Sequence, residues 1–116
     1  MSRKASAAAA KLTEAAPVFA ALGDATRLGV VVRLCNDGPL SISHLSDGSK
    51  VTRQAITKHL HALAEAGLVR DTRRGRERIW NLEPRGLEPA RRCLDQISEQ
   101  WNVAIDRLRS LVERES

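Results

Sequence analysis

Residues 52–67 read TRQAITKHLHALAEAG, the pattern of an amphipathic helix that ends at a glycine. With 100° of rotation per residue, Leu60 and Leu63 lie within about 40° of Ile56 and form one apolar stripe. Thr52 is a suitable N-cap, so the helix is expected to begin there. The other face is polar and carries Gln54, Thr57, Lys58 and His61, and Arg53 flanks them at the N-terminus of the helix. The pattern predicts a helix with one face in a core and the other free for solvent or a partner.

Shorter helices are predicted before this one. Pro17 suits the first turn of a helix that stops at Gly23, and residues 1–12 are therefore expected to be a flexible N-terminus. Asp24 is a suitable N-cap for a second helix, and Ser43 for a third helix of little more than one turn. With 116 residues in all, the chain has room for one domain, which we place at residues 13–116.

A basic hairpin is predicted after the amphipathic helix. Residues 68–74 and 76–82 have the composition of two strands around a tight turn at Gly75. The turn is surrounded by Arg73, Arg74, Arg76 and Arg78. Residues 51–82 carry seven basic and three acidic side chains, so most of the net charge of +5 lies here. Such a tip can contact phosphates or enter a minor groove, although charges that protect an edge strand are an alternative explanation.

Two helices joined by a short turn and followed by a hairpin predict a winged helix-turn-helix, a mainly α fold with a small β-hairpin wing. The polar helix face carries the side-chain types that read base edges in a major groove: Gln pairs with adenine, Arg or Lys with guanine, and Thr contacts the thymine methyl. A merely solvated face is the alternative. Together with the basic hairpin, this helix predicts double-stranded DNA as the partner. The helix residues predicted to contact DNA are Thr52, Arg53, Gln54, Thr57, Lys58 and His61.

The last predicted helix runs from about residue 87 to residue 112. Its apolar residues are spaced 3-4-3-4-3-4-3, which is a heptad seam. The predicted dimer contacts are Leu87, Leu94, Ile97, Trp101, Leu108 and Leu111, with Ala90 and Ala104 between them. Burial within one chain is the alternative, but a domain this small is expected to use so long a seam for dimerisation through the terminal helices.

Four motifs occur in order along the chain: ALGDATRL at 21–28, PLSISHL at 39–45, TRQAITKHL at 52–60 and EAGLV at 65–69. Through them the chain resembles the ArsR/SmtB-type bacterial transcriptional repressors over residues 19–82. The resemblance implies a homodimer that binds an imperfect inverted repeat and blocks transcription. A protein- or RNA-binding winged helix is the remote alternative, but the polar helix face has little use in the deep, narrow groove of duplex RNA.

The metal sites implied by the resemblance do not transfer to this sequence. Many members carry a Cys-x-Cys pair before the turn, or Asp and His ligands on the last helix. Here residues 42–46 read ISHLS, and residues 87–116 lack His. His59 and His61 point about 200° apart on a helix and cannot share an ion, and a hydrogen-bonded structural role is expected for His59. We expect no metal and no cofactor, and the inducing effector and the operator stay open.

The two cysteines are the residues that the sequence offers as candidate sensors of an inducing signal. Cys35, at the end of the second helix, is expected to be a small buried hydrophobe. Cys93 lies beside Arg91 and Arg92, whose charge favours a reactive thiolate. Thiol-based redox or thiophilic-metal sensing is thus an alternative to a repressor without a cysteine signal, and a disulfide would need Cα atoms within about 7 Å. Neither cysteine lies in a nucleophile motif, and we expect that the protein is not an enzyme.

The sequence is expected to be that of a cytoplasmic protein without a membrane partner. No segment approaches the roughly 20 apolar residues that span a bilayer. Lys11 and Glu14 interrupt the N-terminal alanines before they reach the length of a signal peptide. Two cysteines do not make the dense disulfide framework of a small secreted domain.

Overall fold

The computed structural model describes the backbone of residues 3–115 and the side chains of residues 10–115. Their elements, in chain order, are α1 (Arg3–Leu22), α2 (Ala25–Asp37), β1 (Leu40–Ser41), α3 (Ile42–Ser46), α4 (Arg53–Glu65), β2 (Val69–Arg74), β3 (Glu77–Leu82) and α5 (Glu88–Glu115). The strands form one antiparallel sheet in the order β1-β3-β2. The mainly helical fold with a β-hairpin wing is confirmed.

The core lies between the sheet and the five helices. Its largest fully buried side chains are Trp80, Ile56, Leu60 and Leu63, each less than 2% exposed or at that limit. Three of the four belong to α4 and are the apolar stripe that the sequence predicted. The stripe therefore orients α4, and every residue between its members is turned towards the flanks or the outer surface.

Side-chain caps fix the starts of three helices. The carboxylate of Asp24 accepts the backbone N–H of Arg27 at 3.0 Å, and the hydroxyl of Thr52 accepts that of Ala55 at 3.1 Å, as predicted. The prediction of Ser43 as the cap of α3 was wrong. Ser41, in extended backbone at the end of β1, accepts the backbone N–H of His44 at 3.2 Å, which places Ser43 inside the helix.

Helix α1 begins at Arg3, well before Pro17, so the prediction that Pro17 opens it was wrong. A proline inside a helix loses one backbone donor and crowds the preceding turn. Here Pro17 is exposed, while Ala15, Val18 and Ala21 are buried on the packed side of the helix. Burial of that side holds the helix across the proline. The flexibility of residues 1–12 stays a prediction.

Helix α5 packs against α1 and then continues past the core. Ala90 and Cys93 are its buried residues, and every residue from Leu94 to Glu115 is exposed except Ile105, which is half-buried. The predicted bounds were a few residues short at the C-terminal end and one residue early at the start. Pro89 lies in the first turn, where a helix tolerates proline.

Within residues 3–115, no single helix is long and apolar enough to cross a membrane; α1 and α2 reach that length and composition only as a pair bent by 93°.

Candidate nucleic-acid interface

The outer face of α4 is the first part of the candidate interface. Ile56, Leu60 and Leu63 point into the core, while Arg53, Gln54, Lys58 and His61 are exposed and Thr57 is half-buried. The hydroxyl of Thr57 donates to the carbonyl of Arg53 at 2.8 Å. Its polar group is therefore engaged within the helix, and its methyl group is the part left for an apolar contact. Thr52 accepts a hydrogen bond as the N-cap and keeps its hydroxyl hydrogen for a second partner.

Arg27 holds α4 against the ends of α1 and α2. Its guanidinium donates from Nε to the carbonyl of Ala21 at 2.6 Å, and its Nη1 lies 3.4 Å from Nδ1 of His59. The same ring nitrogen lies 3.9 Å from the carboxylate of Asp24. The hydrogen-bonded structural role expected for His59 is confirmed. The role of Arg27 was not predicted from the sequence, because nothing local shows that a residue 32 positions away is its partner.

The same cluster perturbs the titration of Asp24. The backbone N–H of Arg27 has the largest effect and lowers the pKa of the Asp24 carboxyl below its usual value of 3.8; desolvation opposes this effect, and the positive charge of Arg27 lowers this pKa further. Because the folded-state pKa is depressed, the ionised carboxylate adds stability above pH 3.8. That contribution is lost as the pH falls through the lower, folded-state pKa.

We therefore expect the stability advantage of wild type over Asp24→Asn to depend on pH. Asparagine is also a good N-cap but carries no charge, so the variant isolates the charge of Asp24 from its capping geometry. The difference in free energy of unfolding, measured by urea titration with circular dichroism, should be fully present at about pH 5 and shrink below about pH 4. A difference that stays the same down to pH 2.5 would contradict this account.

The hairpin formed by β2 and β3 is the second part of the candidate interface. Arg74 lies opposite Glu77, which leaves Gly75 and Arg76 as a two-residue turn. Gly75 has a φ of +62°, which a glycine at the first position of such a turn adopts without strain. The tip of the hairpin is thus a tight turn that places three arginines, Arg73, Arg74 and Arg76, at an exposed end.

The wing arginines differ in their partners. Nε of Arg78 lies 3.2 Å from the carboxylate of Asp71, so the charge of Arg78 is partly neutralised. The other three form no ion pair within the described part of the chain. Arg73 stands directly opposite Arg78, and two like charges in that register repel each other unless an anion lies between or near them. The hairpin therefore offers an anion three unpaired guanidinium groups.

The seam of α5 is a continuous apolar surface. Its large members are between 41% and 65% exposed: Leu94, Ile97, Trp101, Leu108 and Leu111 on α5, and Leu87 one residue before the helix begins. The alternative that the seam is buried within one chain is wrong for these six residues. An apolar strip of this length in water marks an interaction surface.

Sequence comparison identifies the family. A helix-turn-helix domain family matches residues 22–72. The chain is 37% identical over 95 residues to the HTH-type transcriptional regulator Rv2034 of Mycobacterium tuberculosis, covering 82% of this chain and 85% of the relative. It is 30% identical over 95 residues to the arsenical resistance operon repressor of Escherichia coli, covering 82% and 79%. The chain belongs to the ArsR-type helix-turn-helix transcriptional regulators.

Solved structures of ArsR-type regulators have the same fold. An ArsR-like transcriptional regulator from Rhodococcus sp. RHA1 is 35% identical and superimposes with a TM-score of 0.70, covering 85% of this chain and 92% of the other. A homodimeric winged helix-turn-helix DNA-binding domain from Mycobacterium bovis, 24% identical, gives a TM-score of 0.62 over 86% of this chain and 87% of the other. The second likeness supports the fold alone.

The cysteines of this ArsR-type chain lie in environments that differ from the predicted ones. Cys35 was predicted to be buried but is exposed, because the buried positions of α2 are Val30, Val31 and Leu34. It borders a small apolar cavity of about 180 Å³ that Val31 and Leu87 also line. Cys93 is 5% exposed. Among the described residues, no group of three or more His, Cys, Asp or Glu side chains could hold a metal ion.

Proposed function

We propose that this ArsR-type regulator is a homodimeric repressor that binds an imperfect inverted repeat in double-stranded DNA in the bacterial cytoplasm. One observation carries the proposal: α4 is divided into a fully buried apolar face and an exposed face bearing Arg53, Gln54 and Lys58. A helix held in this way can lie in a major groove without losing its packing. The family resemblance and the repressor among its relatives support the same function.

Helix α4 is the proposed recognition helix. In helix-turn-helix proteins the N-terminal residues of this helix contact base edges. Arg53 and Gln54 lie in the first turn, and Lys58 follows one turn later on the exposed face. Arginine and lysine suit guanine, and glutamine suits adenine, so these three side chains are the proposed base readers. Thr57 adds a methyl group that can contact thymine.

The hairpin is the proposed wing that contacts phosphates. Arg73, Arg74 and Arg76 lie at its tip without an ion-pair partner among the described residues, whereas Arg78 is paired with Asp71. Guanidinium groups form strong bidentate hydrogen bonds with phosphate, and such contacts position a protein without reading its sequence. We therefore assign the wing to affinity and α4 to sequence preference.

The exposed seam of α5 is the proposed dimer interface. Pairing two seams would remove the large apolar side chains from water and relate two copies of α4 by a two-fold axis. A dimer of this kind reads two half-sites of an inverted repeat, typically about one helical turn apart.

Variants of α4 and variants of the wing should have different effects on DNA binding. Gln54→Ala and Lys58→Ala are each expected to cost about 1–3 kcal/mol in operator binding and to relax preference at one operator position. Arg74→Ala and Arg76→Ala are expected to weaken specific and nonspecific binding alike, and to reduce the salt slope by about one for each phosphate that the variant no longer binds. The operator is first selected from genomic fragments with purified protein, and each variant is then compared by competition with random DNA at several salt concentrations.

A basic side chain outside both elements provides the control for charge. Arg91→Ala removes an exposed arginine of α5 and should leave both operator preference and salt slope close to wild type. If Gln54→Ala and Lys58→Ala both kept wild-type preference, the assignment of α4 would be wrong. If the wing variants lost preference at single positions instead, the roles of the two elements would be exchanged.

Thiol sensing is the second hypothesis, and the exposure of Cys35 favours a role for that residue. In native protein a thiol reagent should modify Cys35 well before Cys93, as followed by mass spectrometry, because only the first is accessible. If the thiol is a signal, an oxidant or thiophilic metal releases operator DNA from wild type but not from Cys35→Ser. If operator affinity is unchanged after Cys35 is shown to be oxidised, thiol sensing through Cys35 is excluded, and the repressor must respond to another effector.

A further inference from the structure

Trp80 is the largest buried side chain of the sheet and lies at its centre. It belongs to β3, the middle strand, and stands opposite Leu40 of β1 and Asp71 of β2. The residue is 1% exposed, and its indole Nε1–H is buried without a hydrogen-bond partner in the described part of the chain. No polar anchor therefore orients the indole, and packing contacts alone hold it.

One of those packing contacts comes from the outer side of α4. The rings of His61 and Trp80 lie with centroids 5.8 Å apart and planes at 83°, an edge-to-face arrangement in the favourable range for aromatic pairs. His61 is itself exposed. A side chain predicted to read bases from α4 thus lies with its ring against the base of the wing.

The same face of the hairpin leads from this contact to the wing tip. Side chains alternate along a strand, so Arg78 is on the face of Trp80, and Arg73, directly opposite Arg78, shares that face. Asp71 pairs with Arg78 there. A change in the position of the Trp80 ring would therefore be passed, within two residues of each strand, to the arginines at the tip.

We propose that His61 is a positioning residue that sets the wing relative to the recognition helix, and that it acts on DNA through the wing rather than by reading a base. This inference rests on the proposed DNA-binding function. The ring of His61 is the part that matters, because it makes the contact with Trp80; its nitrogen atoms are not required. If His61 read a base instead, its hydrogen-bonding group would be required and its ring would not.

Two substitutions separate ring from polarity. His61→Phe keeps a ring that can pack against Trp80 and removes both nitrogens. His61→Gln keeps a polar group able to pair with adenine and removes the ring. Both lie on an exposed helix position, so circular dichroism should show that both variants fold.

The first measurement needs no DNA. In a ¹⁵N-labelled full-length protein, the indole N–H signal of Trp80 is assigned with Trp80→Phe. His61→Gln should shift this signal clearly, since it removes an aromatic ring that lies 5.8 Å from the Trp80 ring, and should leave that of Trp101 in place. An unmoved Trp80 signal would show that the two rings do not interact in solution and would overturn the inference.

The second measurement uses the selected operator. His61→Gln should bind it about five- to tenfold more weakly, with a reduced salt slope and unchanged preference at every position, and His61→Phe should restore most of the lost affinity. Combined with Arg73→Ala, His61→Gln should cost less than the product of the two single effects, because both act through the wing. Combined with Gln54→Ala, the two effects should multiply.

Each other outcome has one meaning. Loss of preference at one operator position in His61→Phe, with His61→Gln close to wild type, would make His61 a base reader and overturn the inference alone. Multiplicative effects with Arg73→Ala would do the same. A wild-type protein that prefers no DNA sequence would overturn the proposed function, and the positioning role with it, while the NMR result would still report whether the two rings interact.

Discussion

Leu108→Glu is expected to give a folded monomer that binds operator DNA about 100-fold or more weakly than wild type. Leu108 lies in the C-terminal half of α5 and is 56% exposed. No residue of α5 after Cys93 is buried, so this half of the helix lies outside the core. A charge there should therefore leave the core of one chain intact and place an unpaired carboxylate between the paired seams. Without the dimer, two half-sites are no longer read by one linked body. Sedimentation and operator titration measure the two effects.

Val103→Glu is the matched control. Val103 is also an exposed apolar residue of α5, 48% accessible, but it lies about 140° around the helix from Leu108, next to Gln96, Glu99 and Arg107. The same charge on this face should leave a dimer that binds its operator. A Leu108→Glu protein that is dimeric and binds DNA, or equal disruption by both variants, would contradict the assignment of the seam.

Features that depend on near neighbours in the sequence were predicted well. Asp24 and Thr52 each cap a backbone N–H three residues later, so the residue type and its position before an apolar run are sufficient. The buried stripe of α4 repeats with the period of a helix, and the turn at Gly75 needs a residue that tolerates positive φ. These local preferences agree with the final fold, and tertiary packing had no reason to override them.

Features that depend on distant partners were missed. Two contacts join residues that are far apart in the chain: Arg27 with His59, and His61 with Trp80. The residue type at one position does not predict its partner at the other. Cys35 was misplaced for a related reason. The apolar stripe of α2 is wide enough to include it by period, but in the fold only Val30, Val31 and Leu34 of this helix are buried, and the thiol is exposed.

Helix α1 shows how packing can override a local signal. Pro17 is suited to a helix start, and the residues before it have no apolar periodicity of their own. In the fold, Ala15 is buried on the side of α1 that packs, and the helix passes through the proline. The residues of the candidate interface lie on one amphipathic helix and one hairpin, which are local units, so their elements could be predicted from the sequence, while their contact with DNA stays a prediction.

Trp80→Ala should cause the largest loss of stability of any single core substitution, about 3–5 kcal/mol, because it empties the centre of the sheet and leaves a cavity that neighbouring side chains can only partly fill. A domain of this size is typically stable by about 5–15 kcal/mol, so the variant should be close to unfolding at 37 °C.

Trp80→Phe is the control. It keeps an aromatic ring and removes the unpaired Nε1–H, whose burial costs free energy, so it should lose much less free energy of unfolding. Urea titrations followed by far-ultraviolet circular dichroism, at one protein concentration because dimerisation adds to stability, give the three free energies. A loss below about 1 kcal/mol for Trp80→Ala would show that the indole does not hold the wing to the core, and would remove the basis for a wing positioned through its ring.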